Sequence, residues 1–288
     1  MDMFAYLNLT KPRISLLFAF TGLTVLYMEK SWLQQPWRMW LIALAIFLVG
    51  GSANALNQYF EKDRDQLMAR TAKKRPLPQG LISPAAALVF SAIIGGLGNF
   101  LLWYYGSWLA FALGVGTIAF YSFYYTLWLK PRTPYNIVIG GIAGATGPLI
   151  AWAAATGNIA WAPFILFLLV FMWTPPHFWA LALCCKDDYS KVGLPMLPLV
   201  KGDEYTRKQI FLYSVTLLPI SLSLYFTGYV GNIYLISAGI LGLLFILGAI
   251  QVVRVKTTKV YWYFFGYSIL YLLLVFVALI VDSVTRHG

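Results

Sequence analysis

Apolar residues fall into nine long blocks separated by polar breaks: 14–28, 39–60, 85–103, 108–127, 135–155, 161–185, 210–229, 232–253 and 260–281. About 20 apolar residues suffice for a helix to cross a bilayer. Backbone polar groups in hydrocarbon must be satisfied within the chain, and helices do this for each segment alone. The pattern therefore predicts an all-α, polytopic membrane bundle of nine transmembrane helices, one domain over 1–288, around a central cavity opening near one face. The breaks at 104–107, 156–160 and 230–231 are minimal, whereas those at 61–84 and 186–209 are long. Long loops tend to carry function where short ones merely connect.

Composition agrees: 60% of residues are hydrophobic and 11% charged, which excludes an ordinary soluble globule. The net charge of +11 would suit nucleic acid, but its placement argues otherwise. Nine spans put 18 Lys and Arg residues with the N-terminus and the two long loops, and only Lys30, Arg38 and Arg286 on the other side. That bias predicts a cytoplasmic N-terminus, an external C-terminus and contact with membrane lipid, with no nucleic-acid partner. Block 14–28 lacks a small-residue cleavage site and reads as a span rather than a signal peptide. The adjacent Cys184 and Cys185 offer no disulfide framework and read as helix-end packing.

Seven of the ten acids lie in the two segments that begin at the long loops: Glu61, Asp63, Asp65, Asp187, Asp188, Asp203 and Glu204. On a helix, Asn57, Glu61 and Asp65 share one face within about 80°, with Asn54 one turn deeper. Buried amides and carboxylates near lipid are costly and usually functional. Mg²⁺ takes one or two carboxylates beside substrate phosphates. Glu61 and Asp65 fit that role, with Asn57 as a neutral oxygen donor. The alternative is a solvated helix end with Glu61 and Asp65 paired to Arg64 or Arg70. The loop Arg70-Thr71-Ala72-Lys73-Lys74-Arg75 either fixes topology or neutralises a diphosphate.

Two loop segments share a layout. Gly80 follows Asp65 by fifteen residues, and Gly202 follows Asp187 by fifteen, in the manner of a duplicated unit. Ahead of the second, Trp173-Thr174-Pro175-Pro176-His177 should kink or unwind the sixth span, since paired prolines remove two backbone donors. If helix resumes, His177 and Asp188 share a face about 16 Å apart. His177 reads as a general base, an anion donor or an axial ligand to haem iron, or else as a histidine bonded to freed carbonyls. Within Tyr121-Ser122-Phe123-Tyr124-Tyr125, ring faces could stabilise a carbocation. Arg13 either reaches inward to an anion or snorkels outward.

These residues resemble a known family. Asn57-x3-Glu61-x3-Asp65, with Arg70-Thr71 and Arg75-Pro76-Leu77-Pro78-x-Gly80, resembles the first motif of UbiA-type intramembrane prenyltransferases. Lys11-Pro12-Arg13, Asn136-Ile137-Val138-Ile139-Gly140-Gly141, Pro176-His177-Phe178, Lys186-x-Asp188-Tyr189 and Pro195-Met196-Leu197-Pro198 resemble the haem-prenylating branch. The resemblance spans nearly the whole chain. Glu61 stands where Asp is commoner, and the second motif offers only Asp187 and Asp188 beside Lys186.

The resemblance implies Mg²⁺ held by Asn57, Glu61, Asp65 and Asp188, with Asp187 also catalytic. Farnesyl diphosphate and haem B would be the substrates, and haem O the product. Arg13, Asn54, Arg70, Arg75, Tyr121, Tyr125, Lys130, His177, Lys186 and Tyr189 would bind them. It also implies an inner-membrane location and onward contact with haem A synthase or a terminal oxidase. The rivals are a prenyltransferase acting on a quinone precursor and a non-enzymatic transporter or assembly factor. The carboxylates lie at one membrane face rather than at the midplane, which argues against transport.

Overall fold

The computed structural model describes residues 3–286, so His287 lies outside the described residues. Fourteen α-helices follow one another, and no strand occurs among the described residues. Eight segments are long and apolar enough to cross a membrane: Pro36–Leu67, Pro84–Gly106, Trp108–Leu129, Asn136–Thr156, Trp161–Cys184, Gly202–Thr227, Asn232–Val255 and Thr258–Thr285. A ninth is the pair α1 (Met3–Leu9) and α2 (Pro12–Glu29), bent by 56°. The first apolar block is thus the second arm of a broken span. Its break is set by Pro12, which opens α2, and by Lys11 in the left-handed region at φ 48°.

The first long helix, α3 (Pro36–Leu67), runs on past its apolar block and carries its polar end as ordered helix. A single turn, α4 (Ala69–Ala72), follows. Then come α5 (Pro84–Leu101), whose end winds as a π-turn over Leu102–Gly106, and α6 (Trp108–Ala119), which continues as π-helix over Phe120–Leu129. The fifth span is two helices in line, α7 (Asn136–Ala145) and α8 (Gly147–Thr156).

The sixth span, α9 (Trp161–Cys184), stays helical through Pro175 and Pro176, so the expected unwinding does not occur. Pro-containing membrane helices persist where neighbours and Ser or Thr side chains compensate. Here α7, α12 and α14 enclose the segment. The helix does not run on to Asp188 either. It ends at Cys184, and Asp188 sits on a separate turn, α10 (Lys186–Lys191). Cys184 and Cys185 are free and half-buried at this helix end.

The remaining elements are α11 (Leu197–Val200), α12 (Gly202–Ser223), α13 (Asn232–Val255) and α14 (Thr258–Thr285). Around the bundle α2 packs on α3 and α8, α7 on α9, α9 on α12 and α14, and α13 on α12 and α14; α14 returns to α2 and closes the ring. Close approach rests on small residues, as membrane helix pairs require. A Cβ on Gly98 would come within 2.9 Å of the Ala45 carbonyl, and one on Gly147 within 2.8 Å of the Phe18 carbonyl. The glycines placed alike in the two long loops are also alike in conformation: Gly80 has φ +70° and Gly202 φ +83°.

Candidate active site

The polar end of α3 is buried. Asn57, Glu61 and Asp65 are each less than 5% exposed, as one helical face pressed into the bundle demands. Charges in such a place need partners, and they have them. The Arg75 guanidinium bridges Glu61 and Asp65, and the Lys130 ammonium pairs with Glu61. Lys11 Nζ donates to Asn57 Oδ1 at 3.0 Å, while Asn57 Nδ2 donates to Thr126 Oγ1 at 3.2 Å. Two cations, Arg75 and Lys130, therefore meet two carboxylates, with the Lys11 amine on the neighbouring Asn57 amide. Burial works against the Arg75 charge, yet Asp65 and Glu61 outweigh it and raise its pKa above the ordinary value.

Each cation arrives from a different element. Lys130 closes the π-helix of the fourth span, Arg75 stands in the loop after α4, and Lys11 sits at the bend between α1 and α2. The bend also settles the choice at the N-terminus. Lys11 turns inward, whereas Arg13, expected to bind substrate, lies exposed on the first turn of α2. Lys11 is the residue that sequence reasoning passed over. Its signal was present in Lys11-Pro12-Arg13, but nothing local says which cation the bend directs inward.

Asn54 departs from expectation as well. Its Nδ2 donates to Ser15 Oγ at 3.2 Å, tying α3 to α2 instead of facing the cluster. Of the aromatic run, Phe123 and Tyr124 are exposed on the outer surface. Tyr121 and Tyr125 turn inward and stack with ring centroids 5.2 Å apart. The Lys130 ammonium lies 6.0 Å from the Tyr125 ring centre.

The second acidic segment meets the first loop without adding its carboxylates to the cluster. Asp188 accepts hydrogen bonds from the backbone N–H groups of Ala69 (3.3 Å) and Arg70 (3.0 Å). It thus fastens α10 to the turn four and five residues after Asp65. Arg70 lies over the buried Tyr189 ring at 5.9 Å. Burial raises the Tyr189 pKa. Lys186 pairs with Asp203 at 2.8 Å, and Asp187 is exposed. The expected set of Asn57, Glu61, Asp65 and Asp188 around one metal is therefore not assembled. Basic residues neutralise the first acids, and backbone donors occupy Asp188.

Part of that set still suits a divalent cation. Among the described residues no three His, Cys, Asp or Glu side chains converge as a metal cage. Mg²⁺ needs only one or two carboxylates beside phosphate oxygens. Glu61 and Asp65 supply two, and Asp65 Oδ1 is buried without a hydrogen-bond partner, an orphan acceptor that a cation would satisfy.

His177 lies apart, within α9. Its imidazole is stacked between the rings of Trp173 (4.4 Å between centroids) and Phe265 (4.5 Å). Its Nδ1 contacts Ser268 Oγ at 2.6 Å.

Residues 15–277 match the UbiA prenyltransferase family. Over 98% of its length the chain is 42% identical to the protoheme IX farnesyltransferase of Symbiobacterium thermophilum, covering 94% of that protein. It is 44% identical to the Gloeobacter violaceus protein of the same name, over 97% of this chain and 92% of that one. Two solved structures share the fold. Digeranylgeranylglyceryl phosphate synthase superposes with a TM-score of 0.80 at 21% identity, over 99% of this chain and all of that one. A UbiA homologue of Archaeoglobus fulgidus bound to GPP and Mg²⁺ gives 0.66 at 16% identity, over 96% and 99%.

Proposed function

We propose that this chain, which belongs to the UbiA prenyltransferase family, transfers a farnesyl group from farnesyl diphosphate to a vinyl group of haem B, with addition of water. The C1–O bond of the farnesyl group breaks and its electron pair leaves with diphosphate. The vinyl π electrons form the new carbon–carbon bond, leaving a cation on the vinyl carbon next to the porphyrin. Water adds there and loses a proton, giving the hydroxyethylfarnesyl side chain of haem O.

Arg75 and Lys130 receive the diphosphate, stabilising the charge that builds on the leaving group, and Lys11 donates to it from beside Asn57. Glu61 and Asp65 would hold Mg²⁺, which when bound supplies further charge stabilisation to the leaving diphosphate. The stacked pair Tyr121 and Tyr125 stands beside the cluster through Lys130, and a desolvated cation–π contact of a ring with the allylic cation would contribute about 2 kcal/mol. Asp188 and Arg70 position the loop that carries Arg75. His177 binds the haem. The Lys and Arg bias supports a diphosphate end at the cytoplasmic face and an external C-terminus.

The observation that supports the donor half best is the buried cluster of Arg75 and Lys130 on Glu61 and Asp65, with Lys11 beside it on Asn57. The acceptor rests on the relatives, alike over nearly the full length of both chains. The test is to incubate purified protein with haem B, farnesyl diphosphate and Mg²⁺, then look for haem O by mass. Unchanged haem alongside prenylation of a phenolic quinone precursor would replace this reading with its nearest rival.

A further inference from the structure

Two residues of α9 one turn apart, Trp173 and His177, both engage one residue of α14. The Trp173 indole N–H donates to the Ser268 carbonyl at 2.7 Å, and His177 Nδ1 meets the Ser268 hydroxyl at 2.6 Å. That hydroxyl also lies 2.6 Å from the Phe265 carbonyl. A serine hydroxyl has one proton to give, and a carbonyl can only accept. If Ser268 gave its proton to His177 Nδ1, its oxygen and the Phe265 carbonyl would face each other at 2.6 Å with no proton between them. If Ser268 donates to Phe265, as a helical serine commonly does three residues back, His177 must donate its Nδ1–H to Ser268. Only this second arrangement satisfies both short contacts.

We infer that Ser268 is a positioning residue. It fixes His177 in the tautomer protonated at Nδ1 and leaves Nε2 as an unprotonated acceptor. Trp173 and Phe265 cover the two faces of the ring, inclined 17° and 20° to it, so the imidazole acts only through its edge. The Phe178 ring stands across the imidazole at 82°, with 5.0 Å between centroids. An imidazole whose far nitrogen is held by an oxygen, with the near one bearing a lone pair, is what an iron-bound porphyrin binds through. The inference rests on the reading of His177 as the haem-binding residue. It adds that α14, through one hydroxyl, determines which nitrogen is offered.

The tautomer can be read without haem. The chain has only two histidines, His177 and His287, so ¹⁵N-histidine labelling gives two sets of ring signals, and His177→Ala identifies one. We expect His177 to show a protonated Nδ1 and a pyridine-type Nε2 in the wild type and in Ser268→Thr, which keeps the hydroxyl. Ser268→Ala should give mixed tautomers; it retains the Trp173 bond to the backbone carbonyl and hence the helix contact. In haem B titrations followed by absorbance, Ser268→Ala should bind about tenfold more weakly than wild type, and Ser268→Thr should bind normally. A wild-type signal from Nε2–H overturns the inference, as does an unchanged tautomer and haem affinity in Ser268→Ala. If His177→Ala binds haem as wild type does, the haem role of His177 fails, while the ¹⁵N result still decides the tautomer.

Discussion

Arg75 is the residue on which the charged cluster balances, since it alone touches both carboxylates. Removing one member of a buried ion-pair group strands the others, at a cost of about 3–5 kcal/mol. Arg75→Ala should therefore lower the unfolding midpoint in detergent, and adding Glu61→Gln should recover part of the loss; additive losses would show that the bridge carries no coupling. Asp65→Asn leaves Arg75 on Glu61 and keeps the fold, yet turnover should fall about 100-fold or more, the scale seen when one stabiliser of transition-state charge is removed. Retention of full Mg²⁺-dependent activity would take Asp65 out of the chemistry. Since the free cluster is internally paired, cation and diphosphate should bind by exchanging partners with it. Calorimetric titration should show each tightening the other by the same factor. At this scale Asn57, Glu61 and Asp65 were legible because helical periodicity alone puts them on one face. Lys11 and Ser268 were not: one depends on a bend in a broken span, the other on a helix 91 positions away.

At the scale of elements, Asn136–Gly141 carries a packing seam. A Cβ on Gly140 would run into the Tyr125 ring, and one on Gly141 would come within 3.1 Å of Thr174 on α9. The bare backbone of α7 is what lets Tyr125 lie flat beside Tyr121. Gly140→Ala should cost about 1–3 kcal/mol of stability, the usual price of overfilling a packed site. Trimming the ring with Tyr125→Leu in the same protein should restore the thermal midpoint but not turnover, separating the fit of the helix from the use of the ring. Paired prolines allow either a kinked or an unwound helix, and that α9 stays helical through Pro175 and Pro176 was not legible from the local residues. That outcome depends on neighbours far along the chain. The π-helix over Phe120–Leu129 was equally hidden, since no local residue pattern calls for it.

For the whole molecule, hydropathy was enough to place the spans. Nine apolar blocks correspond to eight straight spans and one bent one, because lipid leaves no other way to satisfy the backbone. The Lys and Arg bias predicts that a reporter fused at the C-terminus is active outside the membrane, and one inserted in the loop after Ala72 only inside. The opposite pattern would invert the site. Ring closure was not legible, and it has a consequence for assembly. Because α14 both seals the bundle against α2 and supplies Ser268, the histidine keeps an unfixed edge until α14 has been made and has entered the bilayer. Nascent chains and C-terminal truncations alike should be unable to hold the porphyrin.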